Sequence, residues 1–164
     1  MSRQHGAPGS LATGRLLPAY RWLAALFAVL MVVQAFLGTR GFFSANSTLV
    51  DSHAGIGNIM GLMAIAMLVL AWLLHSRNVF SMRLVMLSGV LVVATFVQIG
   101  LGFSTREPGD FVTAISMHIP LGVTLMAISS LMASMAWQIF RGPSPEAVQP
   151  RTDGRANRSV NAAD

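Results

Sequence analysis

Four long apolar runs, near residues 20–39, 54–75, 79–103 and 112–140, constrain this chain more than any other feature. A helix needs roughly 17–25 predominantly apolar residues to cross the hydrocarbon core of a bilayer, and each run meets that length. In lipid, backbone polar groups must be satisfied within a helix or a closed barrel. These runs are continuous, without the apolar–polar alternation of barrel strands. The expected fold is an all-α membrane protein, a four-helix transmembrane bundle made of two tandem helical hairpins. Only 10% of the residues are charged, against about 25% in a soluble domain, so water is not the solvent of most of this surface.

Charge placement sets the expected orientation. All eleven basic residues are arginine. With the termini and the loop between spans 2 and 3 on one side, nine of the eleven fall there, among them Arg15, Arg21, Arg77 and Arg83, and only Arg40 and Arg106 fall on the other. The positive-inside rule then puts both termini in the cytoplasm. The expected layout is a polar cytoplasmic leader over 1–19, the bundle over 20–140, and a tail over 141–164 rich in Pro, Gly, Asn and charge, expected to be disordered. The expected location is the inner (plasma) membrane of a bacterial cell, with the chain multi-pass. The net charge of +5 implies contact with anionic lipid headgroups and not nucleic acid, since the tails lack interleaved aromatics or a binding motif. Cysteine is absent, which removes disulfides, thiol catalysis and iron–sulfur ligation.

The membrane part repeats itself. Span 1 ends in QAFLGTR, with Gln34, Gly38 and Arg40, and span 3 ends in QIGLGFSTR, with Gln98, Gly102 and Arg106. A polar loop follows each, then H-x-x-x-G: His53 to Gly57 in the first unit, His118 to Gly122 in the second. Gln34 precedes His53 by 19 positions and Gln98 precedes His118 by 20.

Spans 2 and 4 run in the same direction, so the two histidines are expected at one depth near the outer face. In an up-down-up-down bundle those spans are diagonal neighbours across the interior. Two imidazoles facing one another there suit bis-histidine ligation of a flat haem. Gly57 and Gly122 lie on the same helix faces as their histidines and are expected to leave room for the macrocycle. Gly38 and Gly102 are expected to admit its edge, and Gln34 and Gln98 to hydrogen-bond across the interior. Arg40 and Arg106, the outer cations, are expected to pair with haem propionates.

Blander roles fit several other residues. His75 reads as an interfacial residue at the cytoplasmic end of span 2, and Trp72 and Trp137 as members of the aromatic belt. Gly57 and Gly61 form G-x-x-x-G, a pattern of close helix packing. Asp110 reads as a helix cap after the Pro108-Gly109 turn. Asp51, beside the proposed site, reads as a residue able to shape a substrate or proton path.

The Q-x-x-L-G and H-x-x-x-G arrangement, above all VQIGLGFSTR followed by HIPLGV, resembles one four-helix half of the haem A synthase family. The resemblance spans roughly residues 20–140. It implies a membrane bundle that holds haem between histidines of paired helices, with His53 and His118 in the place of the axial pair. That family joins two halves and this chain has one bundle. The expected function is thus a small b-type cytochrome holding one haem b, in electron transfer or haem handling, with quinol or a respiratory-chain protein as electron partner. The alternatives are a haem A synthase-like enzyme completed as a homo- or hetero-oligomer, and a haem-free accessory subunit of a membrane complex.

Overall fold

The fold comes from a computed structural model that describes residues 9–105 and 111–141, with side chains described over 14–105 and 111–139. It is all-helical: α1 Gly9–Phe43, α2 Ser47–His75, α3 Met82–Ser104 and α4 Phe111–Arg141. All four are long and apolar enough to cross a membrane. Their outward faces carry exposed Trp22, Val32, Phe36, Leu62, Val93 and Val123. Such faces are stable only against lipid, and the chain is built as a multi-pass membrane protein. The helix α1 starts well before the apolar run at residue 20, because Leu16 and Leu17 in the leader pack against the core. Residues 1–8, Arg106 and Asp110, and the tail from 142 onward, for which the sequence sets expectations, lie outside the described residues.

Each helix presents one seam to the interior, and the seams follow a 3-4 spacing. In α1 it runs Tyr20, Ala24, Phe27, Met31, and in α2 Met60, Ala64, Met67, Ala71, Leu74. The α3 seam is Leu84, Ser88, Leu91, Thr95, and the α4 seam Leu125, Ser129, Met132, Ala136. Alternating steps of four and three residues, as in the full α2 series, approach the 3.5-residue period that keeps one stripe facing its partners in a bundle. Small residues alternate with large ones, which lets backbones approach closely where lipid gives no hydrophobic drive to association. Tyr20 shows the pattern: its ring meets Phe80 edge-on, 4.8 Å between centroids, and its hydroxyl lies 3.2 Å from that of Ser88.

Helix α1 packs on α2 and α4, and α3 packs on the same two, which makes a closed four-membered ring. The pairs α1/α3 and α2/α4 are the diagonals. The α1–α2 connection is three residues long: Ala45 adopts a positive φ of 48°, and Asn46 caps α2 by accepting the Leu49 amide. The α2–α3 connection holds a second left-handed residue, Asn78. There His75 Nδ1–H donates to the Phe80 carbonyl at 2.9 Å. The residue read as merely interfacial therefore clasps the loop that joins the two hairpins.

Candidate functional site

Continuing the seams toward the α1–α2 turn changes their chemistry without breaking their spacing. Along α1, Phe27 and Met31 give way to Gln34 and Gly38. Along α3, Leu91 and Thr95 give way to Gln98 and Gly102. The α2 seam, read backwards from Met60, meets Gly57 and His53, and that of α4, read backwards from Leu125, meets Gly122 and His118. All eight of these residues line one cavity of about 620 Å³. Its deeper wall includes Met31, Met60, Thr95 and Met126. At its outer rim Phe42 of α1 stacks on Phe111 of α4, 5.8 Å between centroids and 14° from parallel.

The two imidazoles meet across the α2/α4 diagonal. Their ring centroids are 6.1 Å apart and their planes are inclined by 59°. The backbones of α2 and α4 do not approach each other, so the side chains alone bridge this diagonal.

Each hairpin is tied by the same bond. Gln34 Nε2 donates to the His53 carbonyl and Gln98 Nε2 to the His118 carbonyl, both at 2.9 Å. A carbonyl only accepts, so the nitrogen end of each amide must face it. That leaves Gln34 Oε1 and Gln98 Oε1 buried with no hydrogen-bond partner among the described residues. Such oxygens are donor-seeking groups in the wall of the cavity.

The glycines make these bonds possible. A Cβ on Gly57 would lie 3.1 Å from Gln34 Nε2, and one on Gly122 equally 3.1 Å from Gln98 Nε2. A Cβ on Gly38 would lie 3.0 Å from His53 Cε1, and one on Gly102 3.3 Å from His118 Cε1. The nearest neighbours of all four are thus the glutamine amides and the imidazoles, and the glutamines bond within their own hairpin instead of across the interior. Periodicity had located the faces, but it could not tell which of two adjacent helices a side chain reaches. The G-x-x-x-G pair divides likewise: Gly57 faces Gln34 of α1, whereas Gly61 faces Ile99 and Phe96 of α3.

The first histidine is clasped twice. Besides accepting from Gln34 through its carbonyl, His53 places Nδ1 3.0 Å from the Gln34 carbonyl oxygen. Because that oxygen only accepts, Nδ1 carries the hydrogen and the neutral ring keeps its lone pair on Nε2. A histidine that ligates a metal is commonly fixed in this manner, its remaining N–H given to a carbonyl. His118 Nδ1 is buried near the Gln98 carbonyl without a hydrogen bond of standard geometry.

The remaining candidates stand apart. Arg40 is exposed near the end of α1, two residues beyond Gly38, and does not line the cavity. Asp51 is exposed near the start of α2. Thr95 and the Phe42–Phe111 stack were not read as part of this site. Thr95 was detectable as the next position of the α3 seam after Leu91, whereas no local pattern links Phe42 to Phe111 across 68 intervening residues. Among the described residues no group of three or more His, Cys, Asp or Glu is gathered at a metal-binding distance. No family model, curated protein or solved structure matches this chain.

Proposed function

We propose that the chain is a small membrane cytochrome that holds one haem b between His53 and His118. The observation that carries this reading is the separation of the two imidazoles. A metal–nitrogen bond of about 2 Å and an imidazole radius of about 1.1 Å would put two rings that share one iron about 6.2 Å apart, centre to centre. The centroids here are 6.1 Å apart. The Nδ1–H of His53, directed to the Gln34 carbonyl, leaves Nε2 as the ligating atom. A bare metal ion would need three or four protein ligands, whereas a porphyrin brings four nitrogens of its own and asks the protein for two. Among the described residues the pair belongs to no group of three or more acidic, thiol or imidazole side chains, which suits the second case.

When bound, the haem supplies one-electron redox chemistry. The chain's own residues orient and insulate it. His53 and His118 would hold the iron, the glycines let the rings and amides seat, and the apolar wall of Met31, Met60 and Leu125 would exclude water from the deep side. Arg40, exposed at the same end, would offer a guanidinium to propionate carboxylates. The arginine bias supports cytoplasmic termini, with the histidine end at the outer face of what we read as a bacterial inner membrane. Quinol or a respiratory-chain subunit there would be the electron partner.

The test is a reduced-minus-oxidised spectrum of the purified protein beside His53→Ala and His118→Ala. The wild type is expected to show the sharp bands of a low-spin, six-coordinate haem, and each substitution to abolish that spectrum. A wild-type preparation with no Soret band would refute the reading.

A further inference from the structure

The two hairpins share a plan but not a strength of grip. His53 is held at two points, through its carbonyl and through its ring, by one residue, Gln34. His118 receives the first of these bonds from Gln98 and lacks the second in standard geometry. The ring of His53 is seated more tightly over its glycine than that of His118, by the 3.0 Å and 3.3 Å clearances a Cβ would have. The third difference is in the backbone. Two residues beyond His118 stands Pro120, inside α4, where the first hairpin has Gly55. Proline offers no N–H to the carbonyl one turn earlier, that of Ser116, so the turn bearing His118 is the more deformable.

We propose that His118 is the axial ligand that yields, so that the reduced protein accepts a small neutral two-electron donor of the carbon monoxide class on the α4 side while His53 stays bound. This rests on the haem reading above. The exchange breaks the iron–Nε2 bond of His118 and forms one bond from iron to the incoming ligand. The imidazole leaves as a neutral ring with its lone pair, and no electron or proton is transferred. A ring fixed by an N–H···O=C bond is the better donor and is already oriented, and loss of such an outer partner weakens metal binding by about tenfold or more. The side of the cavity next to His118 is lined by Ile115 and Ile119 and by the bare backbone of Gly122, a surface suited to an apolar diatomic.

The experiment titrates the full, haem-loaded, dithionite-reduced chain with carbon monoxide in detergent and follows the Soret band. The wild type is expected to convert to a carbon monoxide complex. His118→Gly is expected to keep haem, to bind carbon monoxide more tightly than the wild type, and to regain a six-coordinate spectrum with added imidazole. His53→Gly is expected to retain much less haem. Pro120→Gly, which makes the second hairpin resemble the first, is expected to lower carbon monoxide affinity severalfold at unchanged haem content. A wild-type spectrum unmoved by saturating carbon monoxide, or equal haem loss from the two histidine variants, overturns the inference and leaves the haem reading standing. A chain with no Soret band at all removes the haem reading, and this inference with it.

Discussion

Gly38 packs against the imidazole of His53 across the α1–α2 interface: a methyl group on Gly38 would stand 3.0 Å from Cε1 and 3.1 Å from Nδ1 of the ring. That ring cannot swing away without breaking the bond from Nδ1 to the Gln34 carbonyl. The equivalent contact at Gly102 is looser, 3.3 Å to His118 Cε1, and the approach of that ring's Nδ1 to the Gln98 carbonyl falls outside standard hydrogen-bond geometry. Gly38→Ala should therefore cost more than Gly102→Ala, with overpacking of this kind worth about 1–3 kcal/mol. Haem content per chain, together with thermal unfolding in detergent, reads the difference. Equal effects at the two sites would show that the rings are equally free.

The glutamine bonds make a second, independent expectation. Removing the Gln34 amide with Gln34→Leu deletes the bond to the His53 carbonyl, worth about 1 kcal/mol. It leaves the backbone carbonyl that holds the ring in place. Gly57→Ala attacks the same bond from the other side, since its Cβ would stand 3.1 Å from Gln34 Nε2. The two substitutions should thus be non-additive in a double-mutant cycle of unfolding midpoints, whereas Gly57→Ala combined with Gln98→Leu should add. Additivity within the Gln34/Gly57 pair would mean that the bond does not depend on the glycine.

These pairings mark where the sequence stopped being readable. The four spans were legible because a run such as 54–75 can bury its backbone polar groups in lipid only as a helix. The repeated Gln, Gly and His positions were legible because they fall at matching offsets in two hairpins. Yet a 3-4 spacing specifies a face, and a face in a four-membered ring borders two neighbours. Gln34 was expected to reach across the interior and instead bonds to the helix beside it. Gly57 was expected to make room for a macrocycle; it lines the cavity, but that its nearest neighbour is the Gln34 amide was not legible. Helix ends were the least legible: Leu16 and Leu17 extend α1 into a stretch whose Gly, Pro and Arg content reads as a leader.

At the opposite end of the bundle, His75 offers a control for effects on the site. Its Nδ1–H···O=C bond to Phe80 closes the loop that carries Asn78 at a positive φ of 59°. His75→Ala should lower the unfolding temperature, by the equivalent of about 1 kcal/mol. The two hairpins keep their internal bonds, so the absorption spectrum of the loaded protein should be unchanged. A spectral shift in this variant would mean that the joint between the hairpins sets the spacing of the imidazoles.

Arg21 and Trp137 close the ring of helices on the α1/α4 side. The sequence placed this arginine among the cytoplasmic charges and this tryptophan in an aromatic belt, but the guanidinium carbon lies 3.9 Å from the indole centroid and Arg21 is only 7% exposed. Trp22 packs edge-on against the same indole, 5.5 Å between centroids. A desolvated cation–π contact is worth about 2 kcal/mol. Trp137→Leu keeps the apolar bulk and removes the π face, so it should destabilise the bundle by about that amount. Arg21→Met, which removes the charge and keeps a long chain, should relieve the cost of burying a cation at the same time as it loses the contact. It is therefore expected to be the milder change of the two. Thermal unfolding of both variants in detergent tests the order. If Arg21→Met is the more damaging, the arginine's other contacts outweigh its stacking on Trp137.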